Sequence, residues 1–227
     1  MSARTFSVSA GPLDVAVSRR ELQVAALVVN LELLAVFAYF ALTNATLSSP
    51  LFTLYGLVWV NLALVVFARY RPPAAEARTR RRALVVAGGY ALLLAVFGGV
   101  VGVAPPGTEP GVSVAMLPPG WGPATVVNVG VAAAVLMPAK VLGYAALAYL
   151  LYGTVVDAAS AGVAGVLGLF SCVSCSLPIL VGAATAVVGG GGFVVAAVGG
   201  IGYGPSTLVF ATTVALLWWR PGFGLLR

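Results

Sequence analysis

The sequence has no histidine, two cysteines, a single lysine and only 8% charged residues among its 227 positions. Each scarcity excludes something. Without histidine there is no His-ligated haem, no His-based zinc site and no Ser/His or Cys/His catalytic pair. Six acidic residues, one of them deep in an apolar run, supply general acid/base catalysis poorly, so an enzyme is the less expected class. No Walker-type phosphate loop occurs, and the glycine-rich stretches lie inside apolar runs rather than after a soluble strand. The arginines do not alternate with aromatics on a soluble surface, so nucleic acid is not an expected partner.

What remains is apolar. Hydrophobic residues make up 61% of the chain, whereas soluble domains carry about 25% charged residues. Roughly 20 apolar residues in a helix cross the hydrocarbon, and the runs at about 22–43, 51–68, 83–104, 125–153, 161–188 and 193–219 fit that length. The expected fold is therefore all-α: an integral membrane helical bundle with about six transmembrane helices, one domain over residues 1–227. The stretch between the third and fourth runs holds six prolines and cannot be a helix.

Arg4, Arg19 and Arg20 precede the first run, six arginines from Arg69 to Arg82 separate the second and third, and Arg220 and Arg227 follow the last. With six spans every arginine falls on one side, which the positive-inside rule makes cytoplasmic. The expected location is the cytoplasmic membrane of a prokaryote, multi-pass, with both termini inside and the proline-rich loop outside. Trp218 and Trp219 suit an interfacial belt at one face and Trp121 one at the other. The arginine cluster reads first as a topogenic loop, and second as a holder of anionic lipid head groups. Asn44-Ala45-Thr46 is a glycosylation sequon in the first outer loop.

The second half is rich in Ala and Gly, with a proline expected to kink each span, at Pro138, Pro178 and Pro205. Small-residue faces suit close helix packing; besides the lipid bilayer, subunits of a membrane complex or another copy of the chain are the expected partners. The sharpest local feature is FSCVSCSLPIL, where Cys172 and Cys175 stand three apart near the middle of the fifth run. In a regular helix their Cβ atoms lie about 5–6 Å apart, against about 3.8 Å in a disulfide. A bridge therefore needs local unwinding, for which Pro178 gives a reason. Two chemistries follow: a redox dithiol cycling with a partner, or a two-thiolate site for a soft metal such as copper.

This cysteine- and proline-bearing helix, over about residues 162–185, resembles those of the membrane thiol-electron carriers of the cytochrome c biogenesis and DsbD-type group. It also resembles the first helices of mercuric-ion transport proteins. Carriers of the first group place one cysteine in each of two helices, whereas here both stand in one. The whole-chain pattern is similar to uncharacterised haloarchaeal membrane proteins. The cysteine pair motivates the leading expectation, thiol–disulfide electron transfer or copper handling in respiratory or cytochrome assembly.

A second constellation is Glu32, near the centre of the first run, with Lys140, near the centre of the fourth. Ionisable groups at that depth are costly unless paired or facing a polar cavity. Asn30, Asn61 and Asn128 add polar groups in or near the runs. These residues motivate a permease or permease-like subunit of a transporter complex, or, as interhelical glue, a structural membrane subunit.

Overall fold

In the second unit, helices form where the apolar runs carry a buried stripe at helical spacing. The computed structural model describes residues 6–10, 13–17, 19–43, 50–104, 107, 109–160 and 203–219. Two compact units divide the chain, Met1–Thr46 and Leu47–Arg227.

In the first unit, strands β1 (Phe6–Ala10) and β2 (Leu13–Val17) pair antiparallel, Phe6 opposite Val17 and Ala10 opposite Leu13. Helix α1 (Arg19–Leu42) follows. It is apolar on every side, and Leu27, Leu34 and Phe37 are all exposed, as expected of a helix whose solvent is not water.

The second unit contains α2 (Pro50–Arg69), α3 (Ala77–Phe97), β3 (Val101–Val103), β4 (Gly111–Ala115), β5 (Ala124–Asn128), β6 (Ala132–Leu136), α4 (Pro138–Ser160) and α5 (Gly204–Trp219). On α2 the buried stripe is Thr53, Gly56, Trp59, Ala63 and Val66; on α3 it is Ala83, Ala87, Tyr90 and Leu94. Steps of three and four keep each stripe on one face. Helix α4 is central, packing against α2, α3 and α5.

Ring contacts fix the directions of these helices. Along α2, Phe52 meets Tyr203, Trp59 stacks on Phe210, and Tyr70 meets Trp218. The order is the same on both chains, so α2 and α5 are parallel. Trp59 with Tyr144 and Phe67 with Tyr149 make α2 and α4 parallel too. The short link of residues 70–76 makes α3 run back.

Among the described residues three helices, against the six expected over the whole chain, are long and apolar enough to cross a membrane: Leu22–Leu42, Pro50–Arg69 and Pro138–Ala159. The all-α expectation needs correction, because a four-stranded antiparallel sheet, order β3-β6-β5-β4, occupies much of residues 101–136. The third run stops at Phe97 rather than continuing to residue 104. Gly99 takes φ +71°, the Val100 N–H donates to the Ala95 carbonyl at 2.8 Å and the Gly99 N–H to that of Val96 at 3.2 Å. This is a Schellman ending, which glycine accepts without a Cβ clash.

The fourth run likewise begins as strands, not helix. Val126 to Asn128 face Val135 to Ala133 in register, and Gly130 at φ +88° turns the chain between them. Helix α4 starts only at Pro138, because proline disfavours helix for the residue before it and tolerates the first helical turn. The proline-rich segment is free of helix, as expected, but also supplies β4, which pairs with β5 from Gly111 opposite Asn128 to Ala115 opposite Ala124.

Candidate functional site

One cluster of polar and aromatic groups in the second unit lies at the end of the bundle nearest the sheet. The β4–β5 connection carries Trp121, whose side chain has no exposed surface. Its ring stacks on Phe52 at 5.1 Å and meets Tyr203 at 4.8 Å and Trp59 at 6.0 Å. The indole N–H donates to the Phe52 carbonyl at 2.7 Å. Gly56 leaves room for the ring, since a Cβ there would come within 2.8 Å of the indole. The Ala139 N–H donates to the Gly120 carbonyl at 3.0 Å, tying this loop to the start of α4. Trp121 was expected in an interfacial belt; it is instead a buried wedge that seats the sheet on the helices.

Lys140 lies on the first turn of α4, not at the centre of a span. Its ammonium donates to the Gly98 carbonyl at 2.9 Å and stands 5.9 Å from the centre of the Tyr203 ring. Gly98 closes α3, whose last carbonyls carry partial negative charge, so the cation sits where the helix end attracts it. The Tyr144 side chain crowds Gly98 so closely that a Cβ there would collide with its hydroxyl. Lys140, Tyr144 and Tyr203 thus bind the end of α3 to the starts of α4 and α5.

The other expected polar residues are placed as follows. Asn128 ends β5 and belongs to the sheet, not to a span. The Asn61 amide donates to Leu57 O at 2.9 Å and the Asn30 amide to Ala26 O at 2.8 Å, each within its own helix. Glu32 is half-buried on α1. Pro138 and Pro205 stand at the first turns of α4 and α5, where a proline starts a helix instead of kinking one. Cys172, Cys175, Pro178 and Asn44 lie outside the described residues.

Residues 3–224 match DUF7546, a family of unknown function. The chain belongs to that family. No curated protein and no solved structure matches it. Among the described residues of this DUF7546 member, no three His, Cys, Asp or Glu side chains come together as a metal site. The copper reading therefore rests on Cys172 and Cys175 alone. What the sheet end of the bundle does chemically is neutralise a helix terminus and close the helices under an aromatic lid.

Three features here were not anticipated: the helix stop at Gly98-Gly99, the buried tryptophan, and the tyrosines that frame Lys140. The first was legible as adjacent glycines followed by a short valine-rich stretch. The second had a faint signal in Gly120-Trp121-Gly122 between prolines, a turn sequence around a large ring.

Proposed function

We propose that this DUF7546 member is a multi-pass membrane protein whose chemistry is carried by Cys172 and Cys175, as a dithiol couple or a two-thiolate site for copper. The observation supporting this choice is the local pairing of the other candidates. Lys140 neutralises the end of α3, and Asn30 and Asn61 bond to their own helices. The permease reading drew on a lysine at the membrane midplane, and Lys140 stands at a helix start instead. That shifts the weight to sulfur. As a couple, the two thiols form one disulfide and hand two electrons and two protons to a partner disulfide.

Helix direction supports the multi-pass reading. Helices α2 and α4 are parallel, so the chain must return between them, and α3, of 21 residues, is the element that runs back. Helix α5 starts at the sheet end, as α2 and α4 do. The six arginines between residues 69 and 82 lie at the opposite end, which by the positive-inside rule supports a reading with the sheet on the outer face.

The test is mass-shift alkylation of both cysteines in native membranes before and after reduction, with metal analysis of the purified protein. A reversible disulfide or a stoichiometric soft metal is expected, lost in Cys172→Ser/Cys175→Ser. Two inert, metal-free thiols under both conditions would sink the proposal and favour a transport or structural subunit.

A further inference from the structure

The end of the bundle away from the sheet carries the strongest charge in the described chain. Arg69, Arg71, Arg78, Arg80, Arg81 and Arg82 are all exposed, against two acids at that end, Glu76 and, near the end of α4, Asp157. Glu76 precedes α3 without a side-chain hydrogen bond to cap it, and the first turn of α3 holds no acid. Nothing acidic in that turn balances the helix's positive end.

The arginines are arranged, not merely numerous. Successive helical residues turn by about 100°, so Thr79, Ala83, Ala87 and Tyr90 share one side of α3. That side is the inner one: Ala83, Ala87 and Tyr90 are buried. Arg78, Arg81 and Arg82 take up the rest of the circumference, turned away from the bundle, while Arg80, seven residues before Ala87, stands at the edge of the inner side and is still exposed. Arg71 is held in place by two hydrogen bonds from its guanidinium, both 3.0 Å, to the Phe67 and Tyr70 carbonyls at the end of α2.

A ring of aromatics lies at the same level. Tyr70 meets Tyr149 edge-on at 5.6 Å and Trp218 at 6.1 Å, and Phe67 meets Tyr149 at 5.9 Å. Tyr70 is buried among them, whereas Trp218 and Phe67 are exposed, and an exposed tryptophan at a helix end suits the depth of lipid head groups.

We infer that this arginine collar binds the phosphates of anionic phospholipids in the adjoining leaflet. The inference rests on the membrane reading above. Charge complementarity supplies the attraction, and the planar guanidinium supplies selectivity, because it grips phosphate oxygens through two parallel N–H donors where an ammonium acts as a point charge. A topogenic loop needs only the charge, and lysine serves it equally. That difference separates lipid recognition from simple orientation.

The test uses the full chain purified in neutral detergent, incubated with equal amounts of phosphatidylglycerol and phosphatidylcholine and weighed by native mass spectrometry. The wild type is expected to retain phosphatidylglycerol over phosphatidylcholine by about fivefold or more. Arg80→Lys/Arg81→Lys/Arg82→Lys keeps charge and orientation but loses the paired N–H grip on phosphate, and is expected to keep only a reduced preference, with unchanged melting temperature. Equal retention by the wild type, or undiminished preference in the lysine variant, would overturn the inference. So would displacement of the lipid by millimolar inorganic phosphate, which would mark a site for a soluble anion. Carbonate washing is run alongside: release of the chain from membranes defeats the membrane reading itself, whereas resistance to washing with no lipid preference defeats only the collar.

Discussion

The Lys140 ammonium stands 2.9 Å from the Gly98 carbonyl oxygen, so the first turn of α4 supplies the positive charge that the last turn of α3 attracts. Helix-end charge interactions and hydrogen bonds of this kind are each worth about 1 kcal/mol. Lys140→Met is expected to lower stability by roughly 1–2 kcal/mol, read as denaturant unfolding in micelles, while Lys140→Arg retains most of it. Equal stability of the methionine variant and the wild type would refute the role given to the lysine.

Trp121 offers a graded test. Trp121→Ala removes the whole wedge and is expected to cost about 3–5 kcal/mol. Trp121→Phe keeps a ring against Phe52 and Tyr203 but loses the N–H bond to the Phe52 carbonyl, a loss of about 1 kcal/mol plus some packing. If the wedge seats the sheet, the alanine variant should also become cleavable by added protease within residues 100–136 before the helices melt.

Glycines of opposite consequence lie on α3 and α4. A Cβ on Gly143 would come within 2.5 Å of the Trp59 ring, whereas nothing lies within 4 Å of one on Gly89. Gly143→Ala should therefore destabilise by about 1–3 kcal/mol through overpacking. Gly89→Ala, at an exposed helical site, should stabilise by about 0.5–1 kcal/mol. Melting temperatures moving in the same direction would contradict the packing described.

Orientation is checked by labelling. In a background lacking Cys172 and Cys175, a cysteine placed at Ser113 on β4 is expected to react with a membrane-impermeant maleimide on intact cells. One placed at Ala74, beside the arginines, should react only after the membrane is opened. The reverse pattern would turn the protein over.

Two of the helices could be read from sequence almost to the residue: the runs 22–43 and 51–68 became Arg19–Leu42 and Pro50–Arg69. Length and bounding polar residues sufficed there. Residues 101–136 defeated the same method, because a stretch of Val, Ala and Gly satisfies the apolar criterion for either strand or helix, and periodicity does not arbitrate in short runs. Gly98 and Gly99 end the third helix, but adjacent glycines suit close helix packing as well as a helix stop, and the sequence alone does not choose between the two. Lys140 moved from the middle of a span to its start for the same reason, since the helix beginning depended on recognising β6. Trp121 was expected at an interface because burial of a loop residue depends on what folds over it, here Phe52, Trp59 and Tyr203.

The two aromatic levels of the bundle also act as a ruler. From Phe52, under the sheet, to Tyr70, beside the arginines, the helix rises about 27 Å, close to the thickness of a thin bilayer's hydrocarbon. Trp59 and Gly143 lock α2 to α4 and α5, so under the membrane proposal none of these three helices can tilt alone to absorb hydrophobic mismatch; they lean together or the lipid deforms around them. Each ångström of mismatch costs a fraction of a kcal/mol, so the protein should partition toward thinner membrane regions and melt at lower temperature as acyl chains are lengthened.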